Sequence, residues 1–588
     1  MADDSLNCSV ELRYPLSFRT LSEALFAAPQ EQTFVTMWNA DDQVQSVTFA
    51  QFLAQAKAYA SNFRTHNLRS GDTIILVMPQ GISLMAAFVG SMLLGAVPAI
   101  LAYPNFKVEP AKYRFGLAGV SANLSARLVV LDEAFPEELL GHVAIGGATE
   151  LLRCAEVLEQ DAELRLPNAE PKDIAFIQHS AGTTGLQKGV ALSHAAVLRQ
   201  LNHLAAALSI DNQDRIYSWL PLYHDMGLIA CFMLPLVCHL PIVMQSPTTW
   251  VMQPRTMPQL ISEYKCTLAW VPNFTFQFLA RRVSSDDRHT FDLSSLRALI
   301  NCSEPVRARS MDEFVAAYAA CGLRSNVLHS SYAMAETVFA VTQSGIKGNS
   351  GPRRIWVDAE CFRDDHFALP VSDLASGGLG NAAPFVSSGR CLPGSEVRIV
   401  SSTGEELLEG GVGEIWIRSD ALFDGYFNRP DLTAKVLQDG WYRSGDLGFV
   451  RDGELFVIGR TRDLIIVAGK NIYPQDVEEI ACSHPAIHDG RAVALGLFNP
   501  DVGTEEIVVV AEVQDREDLK DSSAVEQALR NAVVAELGVT VRAIYLKPPR
   551  WIIKSTAGKP ARSATREKLL AEHPELASKD SFGDAKPK

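Results

Sequence analysis

A chain of 588 residues is too long to fold around a single hydrophobic core, so we expect at least two packed units. Hydrophobic residues make up 47% of the chain and charged residues 21%, which is typical of a soluble, folded protein. The formal net charge of -15, without a dense run of Lys and Arg, argues against nucleic-acid binding.

The cysteines and the N-terminal residues indicate the cellular compartment in which the protein functions. The ten cysteines form no CxxC pair and follow no regular spacing, so we predict neither a zinc site nor a disulfide framework. The first residues, MADDSLNCSVELRYP, are acidic where a secretory signal is basic, and they contain no long apolar stretch. Both features favour a reducing compartment, and we expect a cytoplasmic protein.

Two long stretches without charged side chains raise the question of a membrane span, one at 74–106 and one at 226–251. Prolines interrupt both stretches, and glycines also interrupt the first. Covered parallel strands are continuous apolar runs, so the first stretch predicts a strand at 74–78, a buried helix at 83–94 and a strand at 97–101. We assign both stretches to the core and predict no membrane span.

The remaining elements predict an α/β fold in which the type and length of the secondary-structure elements change along the chain. Over the first 400 residues, apolar β-rich segments alternate with amphipathic helical ones, at 128–131, 174–178, 195–208, 216–220 and 296–301. After Pro393, short strands with glycine turns indicate a smaller β-rich unit, at 396–400, 413–418 and 454–458. From about residue 463 an α+β unit is predicted, with a strand, a helix at YPQDVEEIACSH, a strand, a helix and a strand. We therefore expect a large unit of layered α/β subdomains at 1–462, with its β-rich subdomain at about 390–462, and a small C-terminal domain at 463–588.

The loop after the strand at 174–178 carries the strongest chemical signal. It reads SAGTTG over 180–185 and is followed by Lys188. Small residues let backbone N–H groups approach phosphate oxygens, and hydroxyl groups add donors. The loop lacks the GxxxxGK[ST] pattern of a Walker P-loop. It predicts a phosphate cradle, and an ordinary turn is the alternative.

Two further patterns are interpreted as loops. The GLGNAA stretch at 378–383 fits a dinucleotide-binding pattern, but no strand precedes it and no helix follows it. His484 and His488 lie four residues apart in HPAIH without an accompanying Glu.

The phosphate loop and the segments that follow it resemble the adenylate-forming, or AMP-binding, superfamily, which includes acyl-CoA synthetases, luciferases and nonribosomal peptide adenylation domains. The resemblance runs over roughly residues 20–570, and Ala181 and Gln187 depart from the usual loop pattern. The later motifs follow in the order of the family, as WLPLYHDMGLI (219–229), NCSEP (301–305), SYAMAE (331–336), YRSGDL (442–447), GRTRDLI (459–465) and KSTAGKPAR (554–562).

The resemblance implies a role for each matching residue, with ATP and Mg²⁺ as cofactors and a mobile C-terminal domain. The catalytic residues are then Lys559, the adenylation lysine, and His224 beside the carboxylate that is activated. Glu336 and Thr184 are the metal ligands, and Asp463 is the hinge. The implied ATP-binding residues are Ser180, Gly182, Thr183, Thr184, Gly185, Lys188, Ser303, Glu304, Pro305, Tyr332, Ala333, Asp446 and Arg460, of which Tyr332 stacks on adenine and Asp446 binds the ribose hydroxyls.

Within this superfamily the chain resembles the fatty acyl-AMP ligases more than ordinary CoA ligases. The stretches WLPLYHDMGLI, WVPNFTFQFLARR, NCSEPVRARS and NIYPQDVEE carry this resemblance. The chain also has about 50 residues between Glu336 and Gly389, more than typical CoA ligases of the family. The extra segment around 355–380 resembles the insertion that packs between the domains of acyl-AMP ligases, and an idle surface loop is the alternative. At such a contact we expect Phe362, Phe367, Leu369 and Leu374.

The resemblance implies that the protein activates a fatty acid to acyl-AMP and passes the acyl group to the phosphopantetheine thiol of an acyl carrier protein, in polyketide, nonribosomal peptide or lipid synthesis. A docked insertion hinders the domain rotation that a CoA-dependent step needs. No further domain follows Lys559, so we expect the carrier in trans. An acyl-CoA synthetase that uses free CoA is one alternative, and an inactive scaffold protein is another. Glu336, Asp446, Arg460 and Lys559 together argue against the scaffold.

Overall fold

The structure is a computed structural model. It describes residues 17–39, 43–104, 110–143, 150–153, 168–179, 188–345, 351–371, 382–467, 470–499, 502, 504–516, 519, 522–554 and 560–576.

The chain up to residue 218 alternates helices and strands. Thr48 begins the longest helix of this part with a reciprocal capping box, in which its side chain and that of Gln51 each accept a backbone N–H. The elements are α1 (Leu21–Phe26), β1 (Thr33–Trp38), β2 (Val44–Thr48), α2 (Phe49–Thr65), β3 (Thr73–Val77), α3 (Ile82–Leu93), β4 (Val97–Ile100), α4 (Pro110–Leu124), β5 (Leu128–Leu131), β6 (Glu150–Arg153), β7 (Ile174–His179), β8 (Gly189–Ser193), α5 (His194–Ala207) and β9 (Ile216–Ser218).

The middle of the chain opens with a π-helical segment, Met226–Met233. It continues with α6 (Leu234–Cys238), β10 (Ile242–Gln245), α7 (Pro247–Met252), α8 (Thr256–Tyr264), β11 (Leu268–Val271), α9 (Phe274–Arg282), α10 (Ser285–Arg288), β12 (Ala298–Asn301), α11 (Ala308–Tyr318), β13 (Leu328–Ala333) and β14 (Ala340–Gln343).

The last part of the chain is richer in strands. Its elements are β15 (Arg354–Asp358), α12 (Ala359–Asp364), β16 (Ala382–Val386), β17 (Arg390–Cys391), β18 (Ser395–Val400), β19 (Gly413–Ser419), β20 (Gly425–Tyr426), α13 (Pro430–Val436), β21 (Leu437–Gln438), β22 (Trp441–Arg451), β23 (Glu454–Arg460), β24 (Ile465–Val467), β25 (Lys470–Ile472), α14 (Pro474–Cys482), β26 (Ile487–Asn499), β27 (Thr504–Val513), α15 (Ser522–Leu537), β28 (Val541–Lys547) and α16 (Arg562–Glu572). Short 3₁₀ turns lie at Glu137–His142, Ala319–Cys321, Ser325–Val327, Ala335–Thr337, Thr461–Asp463 and Pro574–Leu576.

Two large sheets form the body of the protein. One has the strand order β17-β14-β13-β12-β11-β9-β10-β1-β2, and the other has the order β20-β8-β7-β4-β3-β5-β6. The central strands of both sheets run parallel. Antiparallel strands complete both edges of the first sheet and one edge of the second, whose other edge strand, β6, is parallel. A third sheet contains β18, β19, β21, β22 and β23, and β26, β27 and β28 form a separate sheet near the C-terminus.

The main core lies between the two large sheets. Ile74 and Leu76 of β3 face this core, whereas Ile75 and Val77 face a second cluster that includes side chains of α4. Helix α3 is buried at all but one of its positions, which explains why its sequence is apolar on every side. Separate clusters cover the two faces of the C-terminal sheet.

These features confirm the predicted α/β architecture with a large N-terminal part and a smaller C-terminal domain. The strands predicted at 74–78 and 97–101 and the helix at 83–94 correspond to β3, β4 and α3. The second uncharged stretch contains the π-helical segment, α6 and β10, all of them buried. None of the helices in the described ranges combines the length and the apolar character needed to cross a bilayer.

Candidate active site

Tyr332, Asp446 and Arg460 form one connected cluster. β22 and β23 pair so that Asp446 lies opposite Arg460, and Tyr332 is at the end of β13. The hydroxyl of Tyr332 donates to Asp446 Oδ2 at 2.7 Å, and Arg460 Nε lies 3.2 Å from Asp446 Oδ1. Burial, together with the Asp446 carboxylate, raises the pKa of Tyr332 well above its usual range, so the phenol remains a donor. An aromatic ring, a carboxylate and a cation are thus held within contact distance.

Glu336 lies beside this cluster in the 3₁₀ turn that follows β13. The carboxylate is buried, and its Oε1 accepts the hydroxyl of Tyr426 at 2.7 Å. The Nζ of Lys188 lies 4.5 Å from the centre of the Tyr426 ring. Burial lowers the pKa of Lys188, an effect that the nearby Glu336 opposes. Glu336, the predicted metal ligand, and Lys188, a predicted ATP-binding residue, therefore both contact the side chain of Tyr426.

Two glutamines hold the loop that leads to His224. Gln80, from the turn before α3, donates to the carbonyl oxygen of Leu220 at 3.1 Å. Gln178, from β7, donates to the carbonyl oxygen of Tyr223 at 2.9 Å. The loop is therefore tied to the strand that leads into the predicted phosphate cradle.

His224 itself is oriented by its neighbour. His224 Nδ1 lies 2.7 Å from Asp225 Oδ1, and Asp225 also caps the π-helical segment by accepting the N–H of Met226 at 2.7 Å. π-helical turns are rare and occur frequently at functional sites.

Three of the predicted ATP-binding residues, Ser303, Glu304 and Pro305, follow β12, and a fourth, Ala333, ends β13. Ser303 has a left-handed backbone with φ of 71°, and its hydroxyl contacts Met226 of the π-helical segment. Glu304 accepts the N–H of Phe274, at the start of α9, at 3.0 Å. Ala333, at the end of β13, pairs with Ala340 of β14, and Pro305 lies in the loop between β12 and α11. Ser303 therefore contacts the residue that lies two positions after His224.

Asp463, the predicted hinge, is held by an ion pair from the small domain. Its Oδ2 lies 2.9 Å from Arg562 Nη1, and Arg562 also binds both carboxylate oxygens of Glu478, at 2.9 and 2.7 Å. Arg562 follows the predicted catalytic Lys559 by three residues. Asp463 is therefore connected directly to the segment that follows the predicted lysine.

Six predicted site residues lie outside the described part of the chain, namely Ser180, Gly182, Thr183, Thr184, Gly185 and Lys559. The ends of the lysine loop are described. Lys554 pairs with Pro560, and the Ala561 N–H donates to the Ile553 carbonyl oxygen at 2.8 Å. Most of the GLGNAA stretch also falls outside the described residues.

The extra segment packs against both the β-rich sheet and the small domain. Phe362 of α12 lies in a buried cluster, with ring centres 6.2 Å from Phe449 of β22 and 5.8 Å from Tyr473 near β25. His366 Nε2 lies 3.3 Å from the side-chain nitrogen of Asn471, and Phe367 packs against Gly410.

The expectation that Leu369 lies at this contact is wrong. Leu369 is 45% exposed, whereas Phe362 on the same segment is buried. Leu374 lies outside the described residues.

The sequence analysis did not predict four residues that contact the candidate site, namely Gln80, Gln178, Tyr426 and Arg562. Gln178 offers a weak signal, because a polar side chain in an otherwise apolar strand needs a buried partner. Arg562 is a charged residue close to the predicted lysine loop. The contacts of Gln80 and Tyr426 join segments far apart in the chain and leave no local pattern.

Comparison with known proteins shows the family to which the chain belongs. Residues 23–427 match the AMP-binding enzymes. A Caulobacter vibrioides protein provisionally named an acyl-CoA synthetase is 30% identical over 565 residues, covering 94% of this chain and 96% of that protein. The medium-chain-fatty-acid–acyl-carrier-protein ligase JamA of Moorena producens is 29% identical over 552 residues, covering 90% of this chain and 91% of that protein.

A solved structure extends the likeness to the fold. It comes from a study of fatty acyl-adenylate ligases from E. coli and L. pneumophila and superposes with a TM-score of 0.86 at 27% identity, over 96% of this chain and 100% of that chain. The chain therefore belongs to the AMP-binding enzyme family and is an adenylate-forming ligase.

Proposed function

We propose that this protein activates a fatty acid with ATP, forming an acyl-adenylate and pyrophosphate. The observation that carries the proposal is the cluster of Tyr332, Asp446 and Arg460 next to Glu336 and Lys188. An aromatic face suits adenine, a carboxylate suits two ribose hydroxyls, and cations suit phosphate oxygens. The fatty-acid substrate in the name of the JamA relative supports the choice of acid.

The reaction is an in-line displacement at the α-phosphorus of ATP. A carboxylate oxygen of the acid forms a bond to the α-phosphorus, the bond from this phosphorus to the oxygen that bridges to the β-phosphate breaks, and pyrophosphate leaves with that oxygen. We assign Lys188 and Lys559 to the stabilisation of the negative charge in the transition state. His224, oriented by Asp225, holds the carboxylate.

The residues around Glu336 fit a magnesium ion. Mg²⁺ prefers oxygen ligands and is commonly bound by one or two carboxylates together with substrate phosphates. Glu336 is a buried carboxylate, and within the described ranges the Tyr426 hydroxyl is its single side-chain hydrogen-bond partner. We assign Glu336, with Thr184, as the ligands that would hold this ion, which neutralises phosphate charge when bound.

We further propose that the acyl group passes to the phosphopantetheine thiol of a separate acyl carrier protein in the cytoplasm. The contact between Phe362 and Tyr473 supports this proposal, because it ties the extra segment to the small domain whose rotation a CoA-dependent step requires. The carrier-protein acceptor in the JamA name agrees with it. The name of the C. vibrioides relative favours free CoA, which is the second candidate acceptor.

The test of adenylation is acid-dependent exchange of pyrophosphate into ATP, measured with Mg²⁺ across panels of fatty, aryl and amino acids. We expect exchange with straight-chain fatty acids, and exchange with aryl or amino acids alone would contradict the proposal. Lys559→Ala should slow exchange by on the order of a hundredfold, since losing one preorganised charge donor costs roughly 3 kcal/mol. ATP binding should survive in this variant, and the exposed Lys435→Ala serves as the control.

A further inference from the structure

The side chain of Tyr426 contacts both the buried Glu336 carboxylate and the partly buried Lys188 ammonium group. Its hydroxyl donates to Glu336 Oε1 at 2.7 Å, and its ring face lies 4.5 Å from Lys188 Nζ. Among the described residues, Lys188 and Glu336 form no ion pair with each other within 4.0 Å, although the carboxylate is close enough to influence the pKa of the lysine. One side chain therefore contacts both groups, Glu336 through its hydroxyl and Lys188 through its ring face.

The chemistry of the phenol suits this position. A phenol hydroxyl is a hydrogen-bond donor at neutral pH, and here it donates to the Glu336 carboxylate. The ring face attracts the ammonium group without neutralising it, because a cation–π contact involves no opposite charge. A direct ion pair in a partly buried site would hold Lys188 and Glu336 far more tightly.

The surroundings of Tyr426 keep the ring in place. β20 pairs with β8, so Tyr426 lies opposite Val190, two residues after Lys188. The backbone N–H of Tyr426 donates to Thr433 Oγ1 at 2.9 Å, and Phe423 packs edge-on against the ring at 5.0 Å. These contacts anchor the ring beside the strand that follows Lys188.

We propose that Tyr426 is a positioning residue that prevents Lys188 and Glu336 from pairing with each other. Glu336 then remains available to a divalent cation, and Lys188 to the phosphates of the nucleotide. This inference rests on the proposed function, since it takes Glu336 as a metal ligand.

The test measures metal binding without turnover. Mn²⁺ is titrated into the protein saturated with an ATP analogue that carries a methylene bridge between the α- and β-phosphates, and free Mn²⁺ is followed by electron paramagnetic resonance. Tyr426→Leu removes the ring and should weaken Mn²⁺ binding on the order of tenfold, because Lys188 can then pair with Glu336. Tyr426→Phe keeps the ring between the two groups and should weaken binding by less than threefold. An equal loss in both variants would overturn the proposal.

A second lysine variant distinguishes positioning from a merely structural role. In a Lys188→Gln background no ion pair can form, so adding Tyr426→Leu should change Mn²⁺ affinity by less than twofold. If Tyr426→Leu weakens Mn²⁺ equally in both backgrounds, the inference is wrong. Glu336→Gln tests the proposed function separately: unchanged Mn²⁺ binding in that variant refutes the metal assignment. Weakened binding there, with no effect of Tyr426→Leu, refutes the positioning role alone.

Discussion

Asp446 has a partner on each oxygen of its carboxylate. Tyr332 donates to one oxygen, and the Arg460 guanidinium lies beside the other. Each oxygen retains a further lone pair, so both can accept a ribose hydroxyl while keeping these partners. The carboxylate therefore links the predicted adenine platform to the strand that leads into the hinge.

We expect Asp446→Asn to weaken ATP binding by on the order of tenfold to a hundredfold. The variant loses charge-assisted hydrogen bonds, each of which contributes about 1.5–3 kcal/mol. Calorimetric titration with ATP measures the effect, and the exposed Glu405→Gln is the control. An unchanged dissociation constant would rule out the ribose role of Asp446.

At the level of elements, the loop of His224 and the π-helical segment approach each other closely. A Cβ added at Gly227 would lie 2.2 Å from the carbonyl oxygen of Pro221. The N–H of Leu228 also donates to the His224 carbonyl oxygen at 2.8 Å. Gly227 thus allows the helix to begin directly against the loop that positions His224.

Gly227→Ala should therefore destabilise the protein by roughly 1–3 kcal/mol, the usual cost of overpacking. It should also raise the fatty-acid KM in pyrophosphate exchange, because the His224 loop must move. Gly116 in α4 is the matched control, since a Cβ there would meet nothing within 4 Å. Gly116→Ala should stabilise by about 0.4–1 kcal/mol and leave exchange unchanged. Thermal unfolding and exchange kinetics measure both variants, and equal behaviour of the two would contradict the steric explanation.

Across the whole molecule, ion pairs and apolar packing both join the small domain to the large one. Arg307 pairs with Glu479 at 2.8 Å, and Arg281 pairs with Asp489 at 2.6 Å. These pairs are partly exposed, and such pairs contribute about 0–1 kcal/mol each. Removing a buried phenylalanine typically costs about 3–5 kcal/mol, so the packing of Phe362 should dominate the docking of the small domain.

We expect Phe362→Ala to raise CoA-dependent thioester formation by on the order of tenfold while adenylation remains measurable. Only the part of the packing energy that involves Tyr473 affects docking, and about 1.4 kcal/mol shifts a domain equilibrium tenfold. Acyl-AMP, acyl-CoA and acyl-carrier products are resolved by mass spectrometry. Phe498→Ala, at an exposed position in the small domain, is the control. If the unaltered protein already forms acyl-CoA as fast as acyl-AMP, the free-CoA alternative is correct and the extra segment does not control the acceptor.

Much of the architecture followed from local patterns. Apolar runs and their interruptions located β3, α3 and β4, because the period and the length of an apolar segment reflect its own secondary structure. The ordered motifs also singled out Tyr332, Glu336, Asp446 and Arg460 through their resemblance to a family, before any contact among them was known. Such inferences need only residues that are close in the chain or the order of motifs along it.

Contacts between distant segments could not be inferred in this way. Tyr426 reaches Glu336 and Lys188 because β20 pairs with β8, and Arg562 reaches Asp463 although the two residues lie 99 positions apart in the chain. Leu369 is apolar yet faces solvent. Sheet register and the packing of whole elements set these contacts, and neither is encoded in the period of a single segment.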